Sequence, residues 1–66
     1  MWEELVRDYA LRTRLLANAV AGLGQYHELG PEARQALAEV ERLDTLCRAA
    51  ADALHRYAAG SARSAG

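Results

Sequence analysis

The sequence predicts an all-α protein, an antiparallel two-helix hairpin that is completed as a four-helix bundle by dimerisation or by a partner. Three observations lead to this prediction. The chain has 66 residues, is rich in Ala and Leu, and contains neither Phe nor Ile. A single Gly30-Pro31 step interrupts it near the middle. Apolar residues recur at alternating three- and four-residue steps on both sides of that step, which is the spacing of helices that pack against each other.

The first helix is predicted over residues 2–28. Gly22 and Gly24 each lower helix stability by about 1 kcal/mol relative to Ala, which allows fraying or a kink near its end. The residues that follow the heptad spacing form the predicted hairpin seam of this helix: Trp2, Val6, Tyr9, Thr13, Leu16, Val20 and Leu23.

The turn is predicted over residues 29–31. Gly30 suits the end of one helix, and Pro31 suits the first position of the next, where its missing N–H costs nothing. Glu32 then lies in the first turn of the second helix, where a negative charge is favoured by the helix dipole. A turn this short makes the two helices antiparallel neighbours.

The second helix is predicted over residues 31–59. Its part of the hairpin seam comprises Val40, Leu43, Cys47, Leu54 and Tyr57. With a turn centred near Gly30, residue n should face about residue 60 − n. Trp2 then lies near Tyr57, and Thr13 near Cys47. The helical hairpin is therefore predicted over residues 1–60, followed by a flexible tail, residues 61–66.

The apolar arc on each helix is wider than the stripe that one neighbouring helix can cover. The uncovered part would form a contiguous exposed patch, which monomeric soluble proteins avoid. We therefore predict an association face that a second copy or a larger helical protein covers. Its predicted residues are Leu5, Arg12, Leu15, Ala19 and Tyr26 on the first helix, and Leu46 and Ala53 on the second.

Arg12 is the charged residue inside this apolar arc, and two interpretations remain open. Its stem can lie along the apolar surface with the guanidinium in water, paired with Asp8 or Asp44. Alternatively, it forms an ion pair across the interface with a partner, for which Glu39 is a candidate. A charge placed in this way fixes partner choice at some cost in stability.

Charge and composition argue against several classes of function and against a nucleic-acid partner. The formal net charge is −1, whereas dedicated nucleic-acid binders usually carry a basic excess. The apolar runs are only a few residues long, so no membrane span is expected. The single Cys47 favours a reducing cytoplasm, and no secretory signal is expected at the N-terminus. Arg in place of Lys, together with abundant Ala, is typical of GC-rich bacterial genomes.

The residues capable of metal or nucleophilic chemistry are poorly placed for it. Cys47 and His55 lie about 12 Å apart along a helix, too far for one tetrahedral ion. His27 belongs to the opposite end of the hairpin. The Gly22-Leu23-Gly24 segment lacks the Lys and Ser/Thr of a phosphate-binding loop. We therefore expect packing roles for these residues, and no catalytic residues, metal site, cofactor or enzymatic activity.

Two known families resemble this chain. In length and seam pattern, nearly the whole chain resembles the Rop-like proteins, helical hairpins that dimerise into four-helix bundles and bind RNA hairpins. The segment Ala53-Leu54-His55-Arg56-Tyr57-Ala58-Ala59-Gly60 resembles the end of the small co-chaperones of type III secretion systems. Those are helical hairpins that bind a larger helical-repeat chaperone. Both resemblances imply a hairpin that acts through association.

Three functional hypotheses follow. The first is a non-enzymatic protein–protein interaction and assembly module that forms a homodimeric helical bundle. The second is a hetero-oligomeric adaptor or co-chaperone, similar to those of type III secretion, that binds a larger helical partner. The third is a dimeric RNA-binding regulator.

Overall fold

Two α-helices make up the fold. The structure, a computed structural model, describes residues 1–65, with side chains described through Ser61. Helix α1 spans Trp2–Leu23 and helix α2 spans Pro31–Ala65. The helices pack against each other along their length as an antiparallel hairpin, and residues 1–65 contain no β-strand. The predicted all-α hairpin is confirmed.

Helix α1 ends at Leu23, five residues before the predicted end at residue 28. The backbone N–H groups of Gly24, Gln25 and Tyr26 donate to the carbonyls three residues earlier, each at 3.2 Å. These are the hydrogen bonds of a tightened turn rather than of an α-helix. The low helix propensity of Gly22 and Gly24 accounts for this early end.

The connection between the helices spans residues 24–30, which is longer than the predicted turn of residues 29–31. Helix α2 begins at Pro31, as predicted. The carbonyl of Gly30 accepts the first helical hydrogen bond, from the N–H of Arg34 at 3.0 Å. Pro31 therefore occupies the first helical position, where its fixed φ angle favours helix initiation.

Helix α2 continues through Ala65, beyond the predicted end at residue 59. The backbone of residues 61–65, expected to belong to a flexible tail, is helical, and Gly66 lies outside the described residues. Ala is the strongest helix former, and the high helix propensity of Ala58 and Ala59 offsets the low propensity of Gly60. The molecule is a rod of 54 × 14 × 12 Å. Neither helix, within residues 1–65, has an apolar stretch long enough to span a membrane.

The buried core is small and lies on α2. Among the side chains of residues 1–61, those that are buried are Ala33, Leu43, Cys47 and Ala50. Within Trp2–Leu23 no residue is buried. Three of the four core side chains are small, so the hairpin removes little apolar surface from water.

Candidate association surface

The surface of α1 that faces α2 is centred on a different stripe from the predicted seam. Its half-buried residues are Leu5, Asp8, Arg12, Leu16, Ala19, Gly22 and Leu23. The predicted seam residues Leu16 and Leu23 lie in this stripe. The other predicted seam residues of α1 are exposed and lie along one edge of the interface. At about 100° per residue, the observed seam is rotated by roughly one-fifth of a turn from the predicted one.

The Arg12 side chain explains part of this rotation. Its Nε donates to Asp8 Oδ1 at 3.1 Å, and its Nη1 donates across the hairpin to the Leu46 carbonyl oxygen at 2.9 Å. With two of its five N–H donors bonded to these acceptors and the side chain still 31% exposed to water, the guanidinium can lie half-buried between the helices. Arg12 therefore pairs with Asp8, one of the predicted partners. Glu39 is bonded to Arg42 instead.

The residues predicted for the association face divide into two groups. Leu5, Arg12, Ala19 and Ala53 are half-buried in the hairpin itself, so the packing of α1 on α2 already covers much of their surface. Leu15, Tyr26 and Leu46 are exposed, as an association face requires. The prediction therefore partly interchanged two surfaces of α1: the one that contacts α2 and the one that stays exposed. A wide apolar arc does not reveal which part the intramolecular neighbour covers.

An uncharged stripe runs along the exposed edge of α1. We define the open stripe as Trp2, Val6, Tyr9, Thr13 and Val20, all predicted for the hairpin seam. The exposed fractions of its large apolar residues are 45% for Trp2, 39% for Val6, 37% for Tyr9 and 50% for Val20. Ala10 and Ala17, next to it on the helix, are exposed as well.

A shallow groove of about 200 Å³ lies between the open stripe and α2. Tyr9, Thr13 and Leu16 line it from α1, and Asp44, Cys47, Arg48 and Ala51 line it from α2. This brings Thr13 and Cys47 to one groove, as the predicted register requires. Asp44 and Arg48 form an ion pair there, with Arg48 Nε 3.1 Å from Asp44 Oδ2. The Thr13 hydroxyl donates to the Tyr9 carbonyl at 2.8 Å. Thr13 therefore has a partner for its donor within the helix, which makes it compatible with an apolar surface.

The two ends of the hairpin differ. At the open end, the rings of Trp2 and Tyr57 lie 5.8 Å apart and are tilted by 33°, as the predicted pairing requires. At the loop end, a shallow cleft of about 290 Å³ is lined by Leu23, Tyr26, His27, Glu28, Leu29, Ala33 and Leu37. Leu37 extends the apolar surface to this end of α2, where it is exposed.

A second apolar area lies on the other edge of the interface. We define the rear patch as Leu11, Leu15 and Leu46, which are exposed by 57%, 46% and 36%. Leu11 was not included in the predicted association face. Its position one helical turn before Leu15 places the two residues on the same face, so the sequence could have indicated it. Two ion pairs, Asp8–Arg12 and Glu39–Arg42, share this edge of their helices.

The structure perturbs the protonation of the Glu39–Arg42 pair. Arg42 Nε donates to Glu39 Oε2 at 3.1 Å, and Arg42 Nη2 donates to Oε1. The hydrogen bonds from Arg42 lower the pKa of Glu39, and those same bonds raise the pKa of Arg42. Both side chains are exposed, so solvent screens the pair.

The residues that could bind a metal or act as nucleophiles lie far from one another. Cys47 is buried with a free thiol, whereas His27 and His55 are exposed near opposite ends of the hairpin. Within the described residues, no three His, Cys, Asp or Glu side chains come together as a metal site would require. Comparison of the chain with protein-family models, curated proteins and solved structures finds no match.

Proposed function

We propose that this chain is a non-enzymatic protein–protein interaction and assembly module whose hairpins associate into a homodimeric four-helix bundle. One observation carries the proposal. The hairpin leaves large apolar side chains exposed on both edges of its interface, from Trp2 at one end to Leu37 at the other. Single exposed apolar residues are ordinary on protein surfaces, but contiguous apolar areas mark sites of association.

The small core supports the same proposal. A chain of this size is already near the lower limit for independent stability, since a short chain buries only about 60% of its unfolded surface. Here the buried side chains are Leu43, Cys47 and two alanines, among those described. Each further square ångström of apolar surface removed from water contributes about 25 cal/mol. Association supplies the burial that an isolated hairpin lacks.

A second copy is the simplest partner for this surface. Two hairpins packed side by side make a four-helix bundle with a shared apolar interior, and closed two-fold dimers are the commonest protein assemblies. The net charge of −1 gives little electrostatic repulsion between copies. The buried free thiol of Cys47 is compatible with a reducing compartment, so we place the module in the cytoplasm.

The test is absolute mass by light scattering across a dilution series, with circular dichroism on the same samples. We expect a helical species at twice the chain mass, with helicity that declines as dilution dissociates the dimer. A monomer at every concentration, folded or unfolded, contradicts the homodimer. In that case the exposed surface belongs to a different helical protein, and the intact hairpin becomes the bait for finding it.

A further inference from the structure

We infer that the open stripe of α1 is the surface on which a second copy of this chain docks, and that the rear patch stays outside the dimer. This inference rests on the proposed function and names the part of the molecule that carries it out. The open stripe extends from Trp2 to Val20, about 27 Å along the helix at 1.5 Å per residue. It therefore covers most of α1.

The pattern of the open stripe is that of a helix–helix interface. Its members follow heptad spacing, yet the intramolecular partner leaves them exposed because α1 turns Leu5, Arg12 and Ala19 towards α2 instead. The stripe itself contains no charged residue. It contains two aromatic residues, Trp2 and Tyr9, a type that is enriched at the centres of interfaces.

The rear patch is less suitable. Two of its leucines lie one turn apart on α1 and the third is a single residue on α2. Charged residues share its face on both helices. On α1, Asp8 and Arg12 lie within one turn of Leu11, and on α2, Glu39 and Arg42 precede Leu46 at helical spacing. Covering this edge would take two ion pairs out of water, against the single Asp44–Arg48 pair beside the open stripe. The larger loss of hydration offsets more of the gain from burying the leucines.

The hairpin as a whole exposes enough surface beyond that of a compact chain to form one typical interface. The chain exposes 5322 Å², whereas a compact monomer of the same mass would expose about 4,100 Å². The difference, about 1,200 Å², exceeds the roughly 800 Å² that each partner buries in a typical stable interface. The stripe also borders the groove between the helices, where Tyr9, Leu16 and Ala51 leave space for side chains of the facing helix.

The occupant that fits this surface is a second copy rather than an unrelated protein. A two-fold interface places the same patch on both sides, so the uncharged stripe of α1 presents no like-charge contact when it meets itself. The charges that border it on α2, Asp44 and Arg48, are paired with each other. The same two-fold packing lays one rod beside the other and encloses both stripes in a bundle interior.

The experiment compares matched substitutions on the two edges of the hairpin. Val20→Glu lies in the open stripe and Leu15→Glu in the rear patch. Both residues are about half-exposed in the hairpin, so neither change buries a charge in the monomer. We expect Val20→Glu to be monomeric by light scattering at concentrations where the unaltered chain and Leu15→Glu are dimeric, because a charge enclosed in the interface is unpaired.

A milder pair keeps the test decisive if Val20→Glu also unfolds. Val20→Ala and Leu15→Ala do not lower helix propensity and introduce no charge. Val20→Ala should raise the dimer dissociation constant on the order of tenfold, because both copies lose buried methyl groups. Leu15→Ala should change it by less than about twofold, because an exposed side chain contributes little.

The outcomes separate the two proposals. A dimer that tolerates Val20→Glu but not Leu15→Glu, or equal effects of the two alanine substitutions, overturns the open stripe as the interface while leaving the homodimer intact. An unaltered chain that remains monomeric at every concentration overturns the homodimer and, with it, this inference.

Discussion

Arg12 shows how a charged residue can belong to a helical interface. Its guanidinium bonds Asp8 on its own helix and the Leu46 carbonyl on the other, so one side chain ties the two helices together. Arg56 makes a similar pair with Asp52 four residues before it, but its side chain is 80% exposed, against 31% for Arg12. Comparing the two arginines therefore distinguishes the effect of a cross-helix contact, made by Arg12, from that of a surface ion pair, made by Arg56.

We expect Arg12→Ala to lower the free energy of unfolding by about 1 kcal/mol, through the loss of the cross-helix hydrogen bond and of the stem's packing. Arg56→Ala should change it by less than about 0.5 kcal/mol, because exposed pairs contribute little. Urea unfolding of both variants at one protein concentration measures the difference. Equal effects would mean that the contact between Arg12 and Leu46 adds nothing to stability.

Glu39 and Arg42 provide a prediction about pH. Because the hydrogen bonds from Arg42 lower the pKa of Glu39, the pair stabilises the folded chain above the ordinary carboxyl pKa. That contribution is lost as the pH falls through the lowered value. We expect Arg42→Gln to raise the pKa of Glu39 towards its ordinary value in an NMR titration of the side-chain carboxyl. Arg56→Gln, the same change in an exposed pair further along α2, should leave that pKa where it is.

At the scale of the helices, the end of α1 depends on its glycines. A Cβ at Gly22 would meet no atom within 4 Å, and one at Gly24 would meet only the Ala21 carbonyl oxygen at an ordinary 3.5 Å. Nothing in the packing requires glycine at either position. We therefore attribute the end of α1 at Leu23 to the backbone entropy of these residues rather than to a tertiary contact.

We expect Gly22→Ala to raise the free energy of unfolding by about 0.5–1 kcal/mol, because Ala loses less backbone entropy than Gly in a helix. Gly24→Ala should extend α1 towards residue 28, seen as helical backbone chemical shifts for Gln25–His27. The reverse change, Ala21→Gly, is the control and should destabilise by a similar amount. Unchanged shifts after Gly24→Ala would show that contacts in the loop, and not the glycine, end the helix.

The sequence was informative where local chemistry decides the structure. Pro31 begins α2 as predicted because its ring fits only the first turn of a helix, and Trp2 meets Tyr57 because the antiparallel packing fixes that register. The face of α1 that meets α2 was predicted less well. Its apolar arc includes both Val20 and Ala19, and periodicity alone does not rank them. The bonds from Arg12 to Asp8 and Leu46 help to hold the observed face, and such a geometry is visible only in three dimensions.

The shape of the whole molecule bears on its assembly. A rod 54 Å long and 12–14 Å across has a large surface for its volume, and a second rod alongside reduces that surface more than a contact at one end would. In the proposed dimer, folding and association are linked, because docking of a second copy contributes the burial that each hairpin lacks. We expect the thermal midpoint to rise with protein concentration, and a midpoint constant over a hundredfold range would contradict this linkage.

The sole tryptophan of the chain reports on the assembly directly. Trp2 lies at one end of the open stripe, tilted against the Tyr57 ring and about half-exposed. Its emission in the monomer should therefore be that of an indole in contact with water. Docking of a second copy on the stripe removes this water. We therefore expect the emission maximum to shift to shorter wavelength with increasing concentration, with the same midpoint as the rise in mass. Val20→Glu should abolish both changes together. A doubling of mass without any shift in emission would place the interface away from Trp2, and would favour the rear patch over the open stripe.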